Sequence, residues 1–218
     1  MNRKVAILGA TGLIGSELLD ILCSDSYFEH IKVIVRRPID IVNPKVSVAV
    51  VDFDNEDQFR NALVDAEIIF CVVGTTLKKV GGDMDAYRKV DFDIPVNAAR
   101  YGKENGCKHF AVVSSYGANS SKSNFYLKLK GEMEDALSDI KIPFLHIFRP
   151  SLLLGKRPER RLLEDIGQAI LPILSPLFPS KAKPIKGSAV AKAMVESVKE
   201  STIASHPKVY YYKDMMPL

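Results

Sequence analysis

Three cysteines in 218 residues, Cys23, Cys71 and Cys107, are odd in number and widely spaced, with no Cys-x-x-Cys pair. That argues against a disulfide framework or a cysteine zinc site, and it fits a reducing compartment. Histidine is nearly as sparse. His30, His109, His146 and His206 show no ligand spacing, so each reads as an ordinary surface or core residue. The excess charge is only +4 at pH 7, too weak to argue a nucleic-acid partner. Long apolar runs are missing too. The most apolar long stretch, 162–179, carries Glu164 and Asp165 and is interrupted by Pro172, Pro176 and Pro179. A spanning helix needs about 20 apolar residues, so no transmembrane segment is expected. Strand-like residues begin at Val5, which leaves no room for a signal peptide. The expectation is a soluble, cytoplasmic protein.

What is present is a hydrophobic fraction of 47% and a regular alternation of two periods. Short β-branched runs at 4–9, 31–36, 46–53, 67–74, 108–115, 143–149 and 208–213 read as strands. Between them, 13–22, 55–64, much of 84–106, 124–139 and 187–200 read as helices, with Pro95 in a first turn and Asp93 as its cap. Near-continuous Val/Ile strands alternating with helices predict a parallel sheet covered on both faces. The length is short for two complete cores. The predicted fold is therefore an α/β, Rossmann-like, doubly wound parallel sheet forming one domain over 1–218.

The first βα turn carries the chemistry of a phosphate site. Gly9-Ala10-Thr11-Gly12-Leu13-Ile14-Gly15 ends the first strand and opens the first helix. The first glycine permits the tight turn, the second lets backbone approach a pyrophosphate, and the third allows close strand–helix packing. The helix N-terminus adds amide donors and a favourable dipole. A dinucleotide site for NAD places Asp or Glu at the end of the second strand; here Arg36 and Arg37 stand there instead. A guanidinium pairs with a 2′-phosphate that a carboxylate would repel, so NADP(H) is the expected cofactor. Asp52 and Phe53, after the third strand, are expected near adenine, and Val73, Gly74 and Thr75, after the fourth, under the adenosine ribose.

Tyr126 and Lys130 form a Tyr-x-x-x-Lys pair on one face of a predicted helix. That helix follows a strand ending in Ser114-Ser115, and Arg149-Pro150 follows the next strand. With GATGLIG, VVGTT, KHFAVVSSYGA, SNFYLKLKGEME and FRPSLLLG, the chain resembles the short-chain dehydrogenase/reductase superfamily. It is most similar to the atypical branch of Tat-interactive-protein-like, NADP-binding oxidoreductases, over Val5 to about Val198. The resemblance implies that Tyr126 is the general acid and that Lys130 holds the nicotinamide ribose and lowers the tyrosine pKa. It implies that a serine after the fifth strand orients the substrate oxygen, Ser115 being favoured and Ser114 open. It also implies that Pro150 to Leu154 contact the nicotinamide. The superfamily's additional asparagine has no clear counterpart, with Asn97 and Asp91 as weak candidates.

The expected activity is NADPH-dependent reduction of a small, apolar carbonyl-type molecule. The alternative is a non-catalytic, NADP(H)-responsive regulatory binding protein. Residues 155–186, rich in Pro, Leu and basic side chains, are expected to form a substrate-side loop or lid. That segment would equally suit a protein partner or a homodimer contact.

Overall fold

The computed structural model describes residues 3–155, 183–200 and 207–216. Seven parallel strands form one sheet in the order β3-β2-β1-β4-β5-β6-β9. They are β1 (Arg3–Leu8), β2 (Phe28–Val35), β3 (Val46–Val50), β4 (Ile68–Cys71), β5 (His109–Val113), β6 (Phe144–Phe148) and β9 (Lys208–Tyr210). A two-stranded parallel pair joins β7 (Leu153–Leu154) to β8 (Ile185–Lys186). The doubly wound sheet expected from the alternation is present.

Period-two burial explains the two layers. In β1, Val5 and Ile7 belong to one core and Ala6 and Leu8 to the other, as alternation across a strand requires. The first core gathers Leu18 of α1 (Leu13–Ser24) and Val190 and Met194 of α6 (Gly187–Glu200). The second gathers Phe59 of α2 (Glu56–Ala62), Ala98 of α4 (Ile94–Glu104) and Met133 and Leu137 of α5 (Phe125–Ile140). Burying such side chains stabilises by about 1.5–3 kcal/mol each for the larger ones.

Several strands are shorter than the sequence suggests. Val46–Val50 stops short of Phe53 because the Asp52 carboxylate accepts the Asp54 amide (3.0 Å) in a turn that leads to the Asn55 helix cap. Ile68–Cys71 stops short of Gly74, where the chain leaves the sheet. The stretch 84–106 is also three pieces: α3 (Met84–Arg88), a π turn (Lys89–Asp93) and α4. Asp93 is not a side-chain cap, since its backbone is helical and the π turn runs directly into α4. Pro95 supplies the reason: it has no N–H to offer the carbonyl of residue 91, so the helix widens there. The true cap is Asp83, whose carboxylate accepts the amides of Asp85 (2.9 Å) and Ala86 (3.0 Å).

The strand order reverses direction between β1 and β4, the topological switch point at which open α/β sheets bind ligands beyond their carboxyl ends. The strand expected over 208–213 ends at Tyr210, because the chain turns at Tyr211 into a short helix, α7 (Tyr212–Met215), capped through Tyr211 and Asp214. Both ends of the 155–186 stretch are tied down near the switch point. Ile185 N–H donates to the Leu152 carbonyl (2.9 Å), and a Cβ on Gly155 or Gly187 would strike Leu13 at 2.4 or 3.0 Å. The expected lid itself falls largely on 156–182, which lies outside the described residues.

Candidate functional site

Gly9 and Gly15 build the turn rather than line the cleft. Gly9 has φ +89°, and a Cβ there would lie 2.7 Å from the Val72 carbonyl carbon. At Gly15 a Cβ would sit 2.0 Å from the Gly9 carbonyl oxygen. No side chain fits at either point, so α1 packs directly on the turn. Gly12 faces the cleft and caps α1 without a side-chain hydrogen bond. The first-turn amides of α1 have no intrahelical acceptors, and the helix dipole makes them donors for an anion.

The cleft beside this turn has a volume of about 530 Å³. Thr11, Gly12, Leu13 and Ile14 form one wall; Val73, Gly74 and Thr75 form the floor. Ser115, Tyr126, Lys130 and Pro150 close the far end. A second hollow of about 480 Å³ is lined by Asp52, Phe53 and Gln58, and Arg36 lines both. Two hollows joined at an arginine suit an extended dinucleotide, with its anionic middle on the glycine turn. Arg37 is exposed and lies off both linings. The cradle therefore fits an NAD(P)-type cofactor.

Helix α5 delivers the far end. Asn124 caps it by accepting the Leu127 amide (3.0 Å), and residues 126, 130 and 134 then follow one another at successive turns. Tyr126 is 38% exposed at the rim, whereas Lys130 and Glu134 are buried. Lys130 Nζ pairs with Asp91 Oδ1 at 2.9 Å, with both side chains almost fully buried. Burial pushes the lysine pKa down, but the Asp91 charge, aided by Tyr126, outweighs it and holds the ammonium above its usual value.

The two serines have separate fates. Ser114 donates its hydroxyl to the Glu134 carboxylate, which Arg149 Nε also grips at 3.0 and 3.1 Å. Ser115, half-buried on the cleft wall, makes only a long contact to the Tyr116 carbonyl (3.4 Å).

Sequence reasoning missed several lining residues, among them Val72, Thr76, Lys79 and Val113. It named Asp91 only as a weak stand-in for an asparagine. The signal available was Pro95, four residues on, which disrupts the helix where Asp91 turns inward. Asn97 instead accepts from Arg100 at 3.0 Å, away from the cleft. Among the described residues no cluster suits a metal ion, and no helix is long and apolar enough to cross a membrane.

Residues 9–201 match the family model for NAD(P)H-binding proteins. Protein HTATIP2 of Rattus norvegicus is 37% identical over 163 residues, covering 73% of this chain and 66% of that protein. The mitochondrial protein FMP52 of Debaryomyces hansenii is 35% identical over 199 residues, covering 89% of this chain and 87% of its own. Among solved structures, the Bordetella bronchiseptica enzyme WbmH in complex with NAD+ superposes with a TM-score of 0.72 at 17% identity, covering 97% of this chain and 76% of that one. UDP-glucose 4-epimerase of Thermotoga maritima gives 0.69 at 14% identity, covering 97% and 77%. At such identities the structures show a common fold. With the glycine turn, the switch-point cleft and the relatives in agreement, the chain belongs to the NAD(P)H-binding family, with HTATIP2 and FMP52 among its relatives.

Proposed function

We propose that the protein is an NADPH-dependent reductase of a small, apolar carbonyl compound. The observation that carries this reading is the meeting of Ser115, Tyr126 and Lys130 with the glycine turn in one cleft. The cofactor, when bound, supplies the hydride. Thr11 to Ile14 would hold its pyrophosphate, and Arg36 would take the 2′-phosphate by charge-assisted hydrogen bonds. Ser115 donates to the carbonyl oxygen and orients it. The Tyr126 hydroxyl would give its proton to that oxygen as the carbonyl is reduced, and solvent at the exposed rim would restore it. Lys130, held as an ammonium, binds the nicotinamide ribose beside Tyr126. Val72, Val113 and Leu153 add apolar wall to the cleft, which supports an apolar substrate.

Cytoplasm is the proposed compartment. The FMP52 relatives are named mitochondrial, so fractionation against a mitochondrial marker is the check.

Calorimetric titration with NADPH and NADH, followed by NADPH consumption against a panel of apolar aldehydes and ketones, tests the function. Tighter NADPH binding and turnover of at least one carbonyl are expected. Tight NADPH binding without any turnover would replace the reductase by an NADP(H)-responsive binding protein.

A further inference from the structure

Asp91 has two partners, and they come from different elements. Its Oδ1 pairs with Lys130 Nζ (2.9 Å), and its Oδ2 accepts the backbone amide of Thr75 (2.8 Å). Thr75 follows β4 and, with Gly74, forms the floor; Lys130 comes from α5. One carboxylate therefore ties the loop after β4 to the site lysine. Gly74 lies under this bridge, where an added Cβ would meet Asp91 Oδ1 at 3.6 Å.

The backbone is shaped to present this group. Asp91 sits in the middle of the π turn, and single π turns inside α-helices recur at functional sites. In a regular helix a buried aspartate costs more than it returns unless it is fully paired. Here both carboxylate oxygens are used, and the side chain is 3% exposed.

From this geometry we infer that Asp91 is a positioning residue: it keeps Lys130 charged and in place for the cofactor ribose, and it locks the Gly74–Thr75 floor to that lysine. The inference rests on the reading of Lys130 as a cofactor ligand given above. Electrostatics agree with it. Lys130 faces Asp91 from the π turn, Tyr126 from its own helix and Cys71 from β4, while Tyr87 of α3 faces Asp91 and Tyr126. Burial pushes the Cys71 thiol up to about 12, and burial with the nearby Asp91 raises the Tyr87 phenol, so both stay neutral across the working range. Asp91 is the full negative charge facing the lysine. Without it, only Tyr126 and Cys71 oppose the burial of Lys130, and a fully buried lysine loses up to about 3–5 pH units.

The test follows the lysine itself. Carbon-13 at the Lys130 Cε reports its protonation by NMR, with the resonance assigned by its absence from Lys130→Met. In the parent chain the ammonium signal is expected to persist past the pH at which exposed lysines titrate; earlier titration would overturn the proposal without any variant being made. In Asp91→Asn, which keeps the shape and an oxygen for the Thr75 amide, the midpoint should drop by several pH units. NADPH affinity should then weaken about tenfold to a hundredfold as pH rises through the new midpoint. In a Lys130→Met background, Asp91→Asn should change NADPH affinity little, because the aspartate acts through the lysine. An unshifted Lys130 titration in Asp91→Asn, or equal losses of affinity in both backgrounds, would overturn the assignment. None of these readouts needs turnover, so a chain without reductase activity leaves the test of Asp91 intact. Turnover with an unshifted Lys130 titration would sink the Asp91 role alone.

Discussion

Ser114 donates its hydroxyl to Glu134, which lies one helical turn beyond Lys130 on α5 and is gripped by Arg149. Arg149 in turn donates to the Tyr211 hydroxyl (3.0 Å), fastening the chain after β9 to this network. Ser114, which also lines the cleft, has its hydroxyl committed to a buried network, whereas the Ser115 hydroxyl makes only the long contact to a backbone carbonyl. Ser114→Ala is expected to cost about 1–3 kcal/mol of stability while NADPH still binds. Ser115→Ala should leave stability unchanged and lower kcat about a hundredfold, as loss of one preorganised donor does. Denaturant unfolding and steady-state kinetics on both variants decide between them. The reverse pattern would assign the substrate oxygen to Ser114.

The glycine turn separates fold from binding. Gly15→Ala places a methyl 2.0 Å from the Gly9 carbonyl oxygen, and overpacking of this kind costs typically 1–3 kcal/mol or more. Gly12→Ala meets the same oxygen at 3.3 Å and should fold. Its methyl would intrude where the pyrophosphate approaches, so the expected loss is in NADPH affinity. Thermal unfolding with and without NADPH distinguishes the two, and a Gly15→Ala chain as stable as the parent would contradict this packing.

Cofactor choice should depend on one arginine more than the other. Arg36 lines both hollows of the cleft, whereas Arg37 lies off them. Arg36→Ala is expected to cost NADPH about 1.5–3 kcal/mol of affinity and NADH little. Arg37→Ala should cost less. Equal NADPH and NADH affinities in the parent would remove the basis for an NADP preference.

A pH dependence of stability lies at the other end of the sheet. His109 and His146 stack in parallel with ring centroids 5.8 Å apart, and Phe144 stacks on His109 at 4.3 Å. Nδ1 of His109 and Nε2 of His146 are buried without a hydrogen-bond partner. Burial lowers their pKa values to about 4 and about 3, from 6.5 in the unfolded chain. The unfolded chain thus binds more protons below pH 6.5, and stability falls as pH drops through that value. At pH 5 each histidine should cost about 2 kcal/mol relative to pH 8. Urea unfolding across that range is the measurement, and His146→Leu should remove about half of the slope. A flat profile would show that the rings are solvated.

The sheet, its parallel order and the glycine turn were legible because each has a period or a fixed spacing. Val5, Ala6, Ile7 and Leu8 alternate between two cores, and a strand buried on both faces writes itself as a continuous apolar run. Tyr126 and Lys130 were legible as neighbours on one helix face from their spacing of four and their setting after the strand ending in Ser114-Ser115. Asp91, Glu134 and the histidine stack were not. An acid within a helix reads as solvated until its partner is known, and the partners come from other elements: Lys130 on α5 for Asp91, Arg149 after β6 for Glu134. His109 and His146 read as ordinary histidines because burial across adjacent strands leaves no spacing in the sequence. The strand end at Val50 was set by a turn hydrogen bond that composition does not reveal.

Deuterium transfer from NADPH labelled at its hydride position to a carbonyl substrate tests the chemistry of the cleft most directly. With the parent chain, label is expected at the former carbonyl carbon of the alcohol. Tyr126→Phe should bind NADPH as tightly and transfer label about a hundredfold or more slowly, since only the transferable proton is lost. A chain that binds NADPH yet transfers no label to any carbonyl in a broad panel would contradict the reductase assignment, as would a Tyr126→Phe variant as fast as the parent.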